Sequence, residues 1–202
     1  MNKQKLTKEY RERNIRWTDR TLSQLSFYNN LLLSLSIGLL SFAYKMERIN
    51  NINISFKNID WSLTIYVMSI IMTTFSIILG LVISLIRLYD FRLTRQINQI
   101  RQRAWEHSNE KLDEKTPDKF TVKKIAKIII QCLLENYPII TLEQCKKLKD
   151  ADEKSRKKFY DNFRMLRNIS YNLGIATWSL TKIQTIILAF AILFLLISEM
   201  LK

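Results

Sequence analysis

WSLTIYVMSIIMTTFSIILGLVISLI, residues 61–86, is a run of 26 residues without one charged side chain. Because a helix rises 1.5 Å per residue, about 20 residues cross a hydrocarbon core of about 30 Å. Residues 21–44 form a second uncharged run that is long enough. Residues 183–198 form a shorter one, but Lys182 and Glu199 at its ends can extend to water. The chain is therefore predicted to be all-α and to cross a membrane three times.

Composition excludes several classes of enzyme. Average glycine usage would give roughly fourteen glycines, whereas the chain has 3, so a glycine-rich phosphate loop is not expected. The single histidine, His107, has no second metal ligand at helical spacing. Cys132 is predicted to lie in a core, and Cys145 precedes two lysines that would lower its pKa. We expect no enzymatic activity, no metal and no cofactor, and no cleaved signal peptide.

The net charge of +14 points to an anionic partner, either nucleic acid or a membrane surface. Residues 1–20 and 87–182 carry 28 of the 32 lysines and arginines. Positive residues concentrate on the cytoplasmic side of membrane proteins. We therefore expect a cytoplasmic N-terminus, a cytoplasmic segment between the second and third crossings, and a C-terminus outside the inner membrane.

Four segments follow from these runs. They are a basic cytosolic N-terminal segment (1–20), a transmembrane hairpin (21–88), a cytosolic helical domain (89–175) and a third transmembrane helix (176–202).

The cytosolic domain is predicted to be helical throughout. The second membrane helix has no breaker at its inner end, so it should continue past residue 100 with one apolar face: Leu93, Ile97, Ile100 and Ala104. Thr116 and Pro117 resemble a helix start, opening a helix with a second apolar face: Val122, Ile125, Ile129, Cys132 and Leu133. Thr141 and Gln144 have capping-box spacing, and about 30 residues without a breaker follow, with a third apolar face: Phe159, Phe163, Leu166, Ile169 and Leu173.

Each membrane helix also carries a stripe of small and polar residues. Such stripes face other helices or water, because lipid offers them no hydrogen bonds. Two interpretations remain open: close helix packing, or a pore shared by several copies of the chain. The stripe of the first helix is Ser23, Ser26, Asn30, Ser34, Gly38 and Ser41. The pore-lining candidates on the other two helices are Ser69, Thr73, Ser76, Thr177, Thr181 and Gln184.

Clusters of basic residues in the cytosolic domain lie far from any crossing. They suit either anionic lipid or the phosphates of a nucleotide or short single strand. The candidate ligand-binding residues are Arg95, Arg103, Lys123, Lys124, Lys127, Lys146, Lys147, Arg156, Lys157 and Lys158. Phe159, Tyr160 and Phe163 are the aromatic neighbours for base stacking, although Phe159 and Phe163 are also expected in the core.

A basic amphipathic N-terminus, a two-helix membrane hairpin and a helical rod beginning IRLYDFRLTRQINQIRQR at residue 86 resemble the SLATT class of bacterial membrane effectors. The resemblance covers roughly residues 5–165, with the third crossing as an addition to the simplest two-helix layout. Its layout is most similar to the Hailong-type effectors, which are channels held shut by a short DNA oligomer from a partner nucleotidyltransferase. The resemblance implies a homo-oligomer, with a tetramer favoured.

Together these features predict a gated pore that depolarises the bacterial inner membrane in anti-phage defence. A nucleotide, an oligonucleotide or a sensor protein would control it at the basic cytosolic region. The alternative is a non-conducting membrane anchor that recruits a soluble partner through its cytosolic helices.

Overall fold

The computed structural model describes residues 3–45, 60–108, 112, 117–134 and 137–201. Within them all regular secondary structure is helical. The five helices are α1 (Lys3–Lys45), α2 (Trp61–Ser108), α3 (Val122–Leu133), α4 (Leu142–Lys146) and α5 (Glu153–Met200). The all-α fold class predicted from the sequence is confirmed for this part of the chain.

Three helices are long and apolar enough to cross a membrane. The candidate spans are Ser23–Lys45, Trp61–Ser108 and Glu153–Met200. Large apolar side chains cover the exposed faces of these helices, as expected for surfaces in contact with lipid: Phe27, Leu35, Ile71, Phe75, Ile78, Ile186 and Leu193. The prediction that residues 183–198 belong to a helix able to cross is therefore confirmed.

The chain divides into two compact units. The first unit contains α1, α2 as far as Leu81, and α5 from Thr181 onward. The second unit contains residues 82–180, which include α3 and α4. Both α2 and α5 are continuous helices of 48 residues that contribute to both units.

Buried positions in the first unit recur at intervals of three, four or seven residues, the spacing of helices packed as in a coiled coil. On α1 they are Leu25, Asn29, Leu32, Ser36 and Ala43. On α2 they are Tyr66, Ser69, Thr73, Ser76 and Gly80. On α5 they are Thr181, Gln184, Leu188, Ala191, Leu195 and Ser198. We call this set of positions the seam. Many of its members are small or polar, which lets membrane helices approach closely and bond to one another.

Hydrogen bonds join every pair of helices in the first unit. Antiparallel α1 and α2 are linked by Tyr66 Oη donating to Ala43 O (2.5 Å), by Ser36 Oγ and Ser76 Oγ (3.2 Å), and by Asn29 Nδ2 donating to Gly80 O (3.5 Å). Helices α2 and α5 are linked by Ser69 Oγ donating to Ala191 O (2.7 Å) and Ser62 Oγ donating to Ser198 O (2.9 Å). Tyr28 Oη and Thr185 Oγ1 lie 3.0 Å apart between α1 and α5.

The second unit has an apolar core built from the faces that the sequence predicts for α2 and α5. All four predicted residues of α2 and all five of α5 are buried. Residues of α3, α4 and the loops complete this core: Leu112, Ile128, Cys132, Ile140, Cys145 and Leu148. On α3 the predicted face is wrong at its two ends, since Val122 and Leu133 are exposed and Ile128 is buried instead.

The predicted helix start at Pro117 is wrong. Residues 117–121 are not helical, and α3 begins at Val122 with Thr121 as its N-cap residue. Two asparagines of α5 hold this segment: Asn172 Oδ1 accepts from Phe120 N (2.8 Å), Asn172 Nδ2 donates to Asp118 O (2.8 Å), and Asn168 Oδ1 accepts from Asp118 N (3.2 Å). These bonds replace those that a helix would provide, and Thr116 lies outside the described residues.

The long helix predicted from Thr141 is interrupted. The capping box is present, with Gln144 N donating to Thr141 Oγ1 (3.3 Å) and Thr141 N donating to Gln144 Oε1 (3.0 Å), but α4 ends at Lys146. A turn follows, and Leu148 within it is buried. Apolar packing thus overrides the helix propensity of this stretch.

Helix α5 then starts afresh at Glu153. Asp152 Oδ2 accepts from Ser155 N (3.4 Å) at its first turn, and hydrogen bonds from Ser155 lower the pKa of Asp152. The run Asp150-Ala-Asp152-Glu153, which resembles a solvated helix face in the sequence, therefore contains the N-cap of α5.

The close approach at Gly80 makes a specific prediction about stability. A Cβ at Gly80 would lie 2.5 Å from Leu33 Cδ2 and 2.7 Å from Gln184 Nε2. The variant Gly80→Ala should therefore lose about 1–3 kcal/mol through overpacking. Gly38→Ala is the matched control, because nothing lies within 4 Å of a Cβ there. Thermal unfolding in detergent should give a lower Tm for Gly80→Ala only, and equal shifts would contradict the close packing.

The hydrogen bonds between the two asparagines of α5 and residues 118–120 make a second prediction about stability. Asn172→Ala removes the part-buried bonds to Asp118 and Phe120 and leaves those backbone groups without these partners, which should cost about 1–3 kcal/mol. Asn168→Ala, which removes one exposed bond, should cost less. Limited proteolysis would then cut within residues 117–121 faster in Asn172→Ala than in Asn168→Ala. Equal rates would show that the hydrogen bonds of Asn172 do not hold the segment.

Candidate functional site

The six pore-lining candidates are all buried inside a single chain. Ser69, Thr73, Ser76, Thr181 and Gln184 belong to the seam of the first unit, and Thr177 is buried in the second unit. None of the six is more than 4% exposed. The structure therefore brings five of them together, but between the helices of one protomer and not on its outer surface.

The hydroxyl groups among these candidates have hydrogen-bond partners. Thr73 Oγ1 donates to Ser69 O (2.8 Å), and Thr177 Oγ1 donates to Leu173 O (2.9 Å). Ser69 and Ser76 bond across to α5 and α1. Hydroxyls bonded in this way satisfy themselves in a membrane and tighten helix packing. For α2, this favours close packing, the first of the two interpretations of its stripe.

Gln184 differs from these hydroxyl residues. Its side chain is completely buried, and neither Nε2 nor Oε1 has a hydrogen-bond partner among the described residues. Its amide lies against Gly80 of α2, where a side chain would leave no room for it. The arrangement joins an unsatisfied donor and an unsatisfied acceptor at one buried point.

The stripe on α1 has the opposite placement. All six of its residues are exposed on the surface of the chain, including Asn30 and Gly38. The residues of α1 that face the other helices are instead Asn29 and Ser36. The stripe therefore makes no packing seam within the protomer. Both faces of α1 are spaced at three or four residues, so periodicity alone could not tell which one turns inward.

The basic candidates lie on the surface of the second unit. Arg103 is half-buried and the other nine are exposed. Arg103 acts electrostatically on Cys145, which immediately precedes Lys146 and Lys147 in the sequence, so these three cations share one region. They are the only candidates from different helices for which a common neighbour is evident in the described chain.

The other basic clusters lie elsewhere on the second unit. Lys124 Nζ lies 4.0 Å from the centre of the Phe120 ring, a cation–π contact, and Phe120 is itself bonded to Asn172. Arg156, Lys157 and Lys158 lie near the start of α5, so the helical rise separates Lys158 from Asn172 by about 21 Å. The basic cluster around Lys124 and the one at the start of α5 therefore lie apart. Phe159 and Phe163 are buried as expected, which leaves half-buried Tyr160 of the three aromatic candidates.

A polar network around Asp90 was not predicted from the sequence. Ser170 Oγ donates to Asp90 Oδ1 (2.7 Å), and Thr94 Oγ1 and Ser170 Oγ lie 3.0 Å apart. This network links α2 to α5 within the second unit. The one available signal was an acidic residue at the start of a strongly basic stretch, and its partner lies 80 residues away in the chain.

No metal-binding group of histidine, cysteine, aspartate or glutamate residues occurs in the described part of the chain. Cys132 and Cys145 are both free thiols and buried. Burial raises the pKa of Cys145, and Arg103 opposes that effect only in part. Burial also raises the pKa of Cys132. The expectation that the lysines beside Cys145 would lower its pKa is therefore wrong, because its thiol points into the core.

Fold and site together define an all-helical protein with three helices that could cross a membrane, a polar seam among them and a basic helical unit. No family model matches the chain, and comparison with curated proteins and with solved structures likewise finds no match.

Because burial raises the pKa of both Cys132 and Cys145, their thiols are predicted to react slowly. Because only the thiolate reacts, a raised pKa lowers its fraction at any given pH and moves the rise in rate to more alkaline pH. At pH 8 a maleimide should label the folded protein much more slowly than the protein unfolded in denaturant, at both cysteines. Rapid labelling of Cys145 in the folded protein, measured on a Cys132→Ser variant, would contradict its burial.

Proposed function

We propose that the chain is a homo-oligomeric membrane effector whose gated pore depolarises the bacterial inner membrane in anti-phage defence. The observation that carries the proposal is the exposed polar stripe of α1. Its members are Ser23, Ser26, Asn30, Ser34, Gly38 and Ser41.

This stripe is unsuited to lipid. Asn30 lies nine residues along the uncharged run from residue 21, about 13 Å into a hydrocarbon core of about 30 Å. An amide that loses its hydrogen bonds to hydrocarbon costs about 2–7 kcal/mol. Water or a second copy of the chain removes that cost. Several copies arranged about an axis, each presenting α1, supply both.

The pore lining is accordingly assigned to α1. Ser69, Ser76 and Gln184 are enclosed in the seam of each protomer, so they line such a pore only if the protomer opens. A pore lined by the stripe of α1 presents hydroxyls, one amide and narrow apolar rings per subunit. Apolar rings of this kind close a pore by excluding water.

The basic second unit supplies the control in this proposal. It carries most of the positive charge of the segment 87–182, which the distribution of lysines and arginines assigns to the cytoplasm. The exposed cations suit the phosphates of a nucleotide or short oligonucleotide made by a partner nucleotidyltransferase, or an acidic sensor protein. Binding to such sites weakens as salt is raised.

Gating follows from helix continuity. Helices α2 and α5 pass without a break from one unit into the other. A ligand that binds the second unit more tightly in one state of the oligomer shifts the population toward that state. The subunits then change their contacts along α1, and the pore widens or closes. The SLATT-type layout, with a tetramer favoured, accords with this scheme.

Ion flux from liposomes tests the proposal. Asn30→Leu with Ser34→Leu removes hydrated groups from the pore, at about 1–3 kcal/mol, which corresponds to a loss of flux of about fivefold to 150-fold. Thr74→Leu is the matched control, because it makes a similar change at an exposed position of α2. Potassium efflux and the membrane potential of expressing cells are the measurements. An intact potential under every inducing condition, with a monomer in detergent, would eliminate the pore.

A non-conducting anchor is the second candidate function. It is favoured by the seam, because the polar groups of α2 and α5 serve packing within one chain. An anchor would still recruit a soluble partner through the second unit but would give no flux with any variant. Co-purification of a partner with the Asn30→Leu, Ser34→Leu chain, together with no flux from the unaltered chain, would support it.

A further inference from the structure

The side chain of Gln184 carries one inference that does not depend on the proposed pore. Gln184 is completely buried in a helix that could cross a membrane. Its Nε2 can donate two hydrogen bonds and its Oε1 can accept two. The described residues supply a partner to neither atom. Buried amides are nearly always hydrogen-bonded, so a partner beyond the described side chains is expected.

The neighbours of Gln184 explain why the chain itself does not supply that partner. Gly80 faces it without a side chain, and the Gly80 carbonyl already accepts from Asn29 Nδ2. Leu33, the other close neighbour of Gly80, is apolar. The nearest hydroxyl of α2 along the seam, Ser76, bonds to Ser36. None of these three neighbours therefore offers a hydrogen bond to the Gln184 amide.

The chemistry of the amide selects the ligand. A cation would satisfy Oε1 only and would leave Nε2 without an acceptor. The polar residues that are buried in the described part of the first unit are all neutral, so none of them would balance the charge of a cation: Asn29, Ser36, Ser69, Thr73, Ser76, Thr181, Gln184 and Ser198. Water is neutral and can both donate to Oε1 and accept from Nε2.

We propose that Gln184, opposite Gly80, is the binding site of an ordered water molecule enclosed among α1, α2 and α5 in the first unit. This water completes the hydrogen bonding of the seam at the level of Gly80. The bonds from Ser62 and Ser69 join α5 to its neighbours directly, whereas Gln184 joins it through water.

Water-edited solid-state NMR on the full-length protein in liposomes tests this site. Side-chain amides of glutamine are labelled with 15N, and the signal missing in Gln184→Leu identifies Gln184. Polarisation from water should reach the Gln184 amide several-fold faster than the backbone amide of Leu188. Leu188 is the matched reference, because it is buried in the same seam one turn further along α5.

Two further variants keep the test decisive. Gln184→Asn gives the assignment if the leucine variant does not fold. Gly80→Ala presses on Nε2 and should slow the transfer to Gln184 several-fold, whereas Gly38→Ala should leave it unchanged. A transfer to Gln184 as slow as that to Leu188 would overturn the proposal. So would a through-space signal that pairs the amide directly with a protein carbonyl, since the water would then be unnecessary.

Discussion

The hydrogen-bonding demand of polar groups in an apolar medium governs the first unit. Hydrocarbon offers no partner, so every hydroxyl and amide on a crossing helix must find one in the protein or in water. Ser69 and Ser76 meet that demand by bonding to another helix, and Thr73 bonds within its own. Some polar groups do not follow this pattern. Gln184 is buried with an open amide, and Asn30 is exposed on the outer face of α1. The proposed pore and the proposed water site rest on these two departures.

The second unit follows a different physical rule, because water is available to its surface. Its core is apolar, and its irregular segments are held by side chains of long helices. Asn172 replaces the backbone bonds that residues 118–120 lack, and Ser108 Oγ donates to Cys145 O (2.8 Å) where α4 meets the end of α2. Each case joins residues far apart in sequence. The result is a basic surface on a framework fixed from within, with Lys124 oriented by the ring of Phe120.

Local patterns predicted most of the architecture. Uncharged runs located the three long helices, and 3.6-residue periodicity identified Leu93, Ile100, Phe163 and Leu166 as core residues, all now found buried. The capping box at Thr141 was also predicted. The predictions that were wrong concern features that depend on residues distant in the sequence. These features are the start of α3, the break after Lys146 and the direction in which the α1 stripe faces. No local signal reveals that an asparagine 52 residues away bonds to Phe120. The assignment of pore candidates to α2 and α5 carried the same difficulty, since a polar stripe is identical whether it faces a neighbour helix or an axis.

The pairing of Gln184 with Gly80 also bears on how α5 keeps its alignment. Seam positions on α5 repeat every seven residues, from Gln184 through Ala191 to Ser198. A slip of one repeat, about 10 Å along the axis, would preserve the apolar pattern and is therefore a plausible misfolded alternative. It would, however, remove the large amide from the one level of α2 that lacks a side chain. The large side chain of Gln184 thus fits opposite Gly80 in one alignment of α5, and this fit selects that alignment among those that hydrophobicity alone permits.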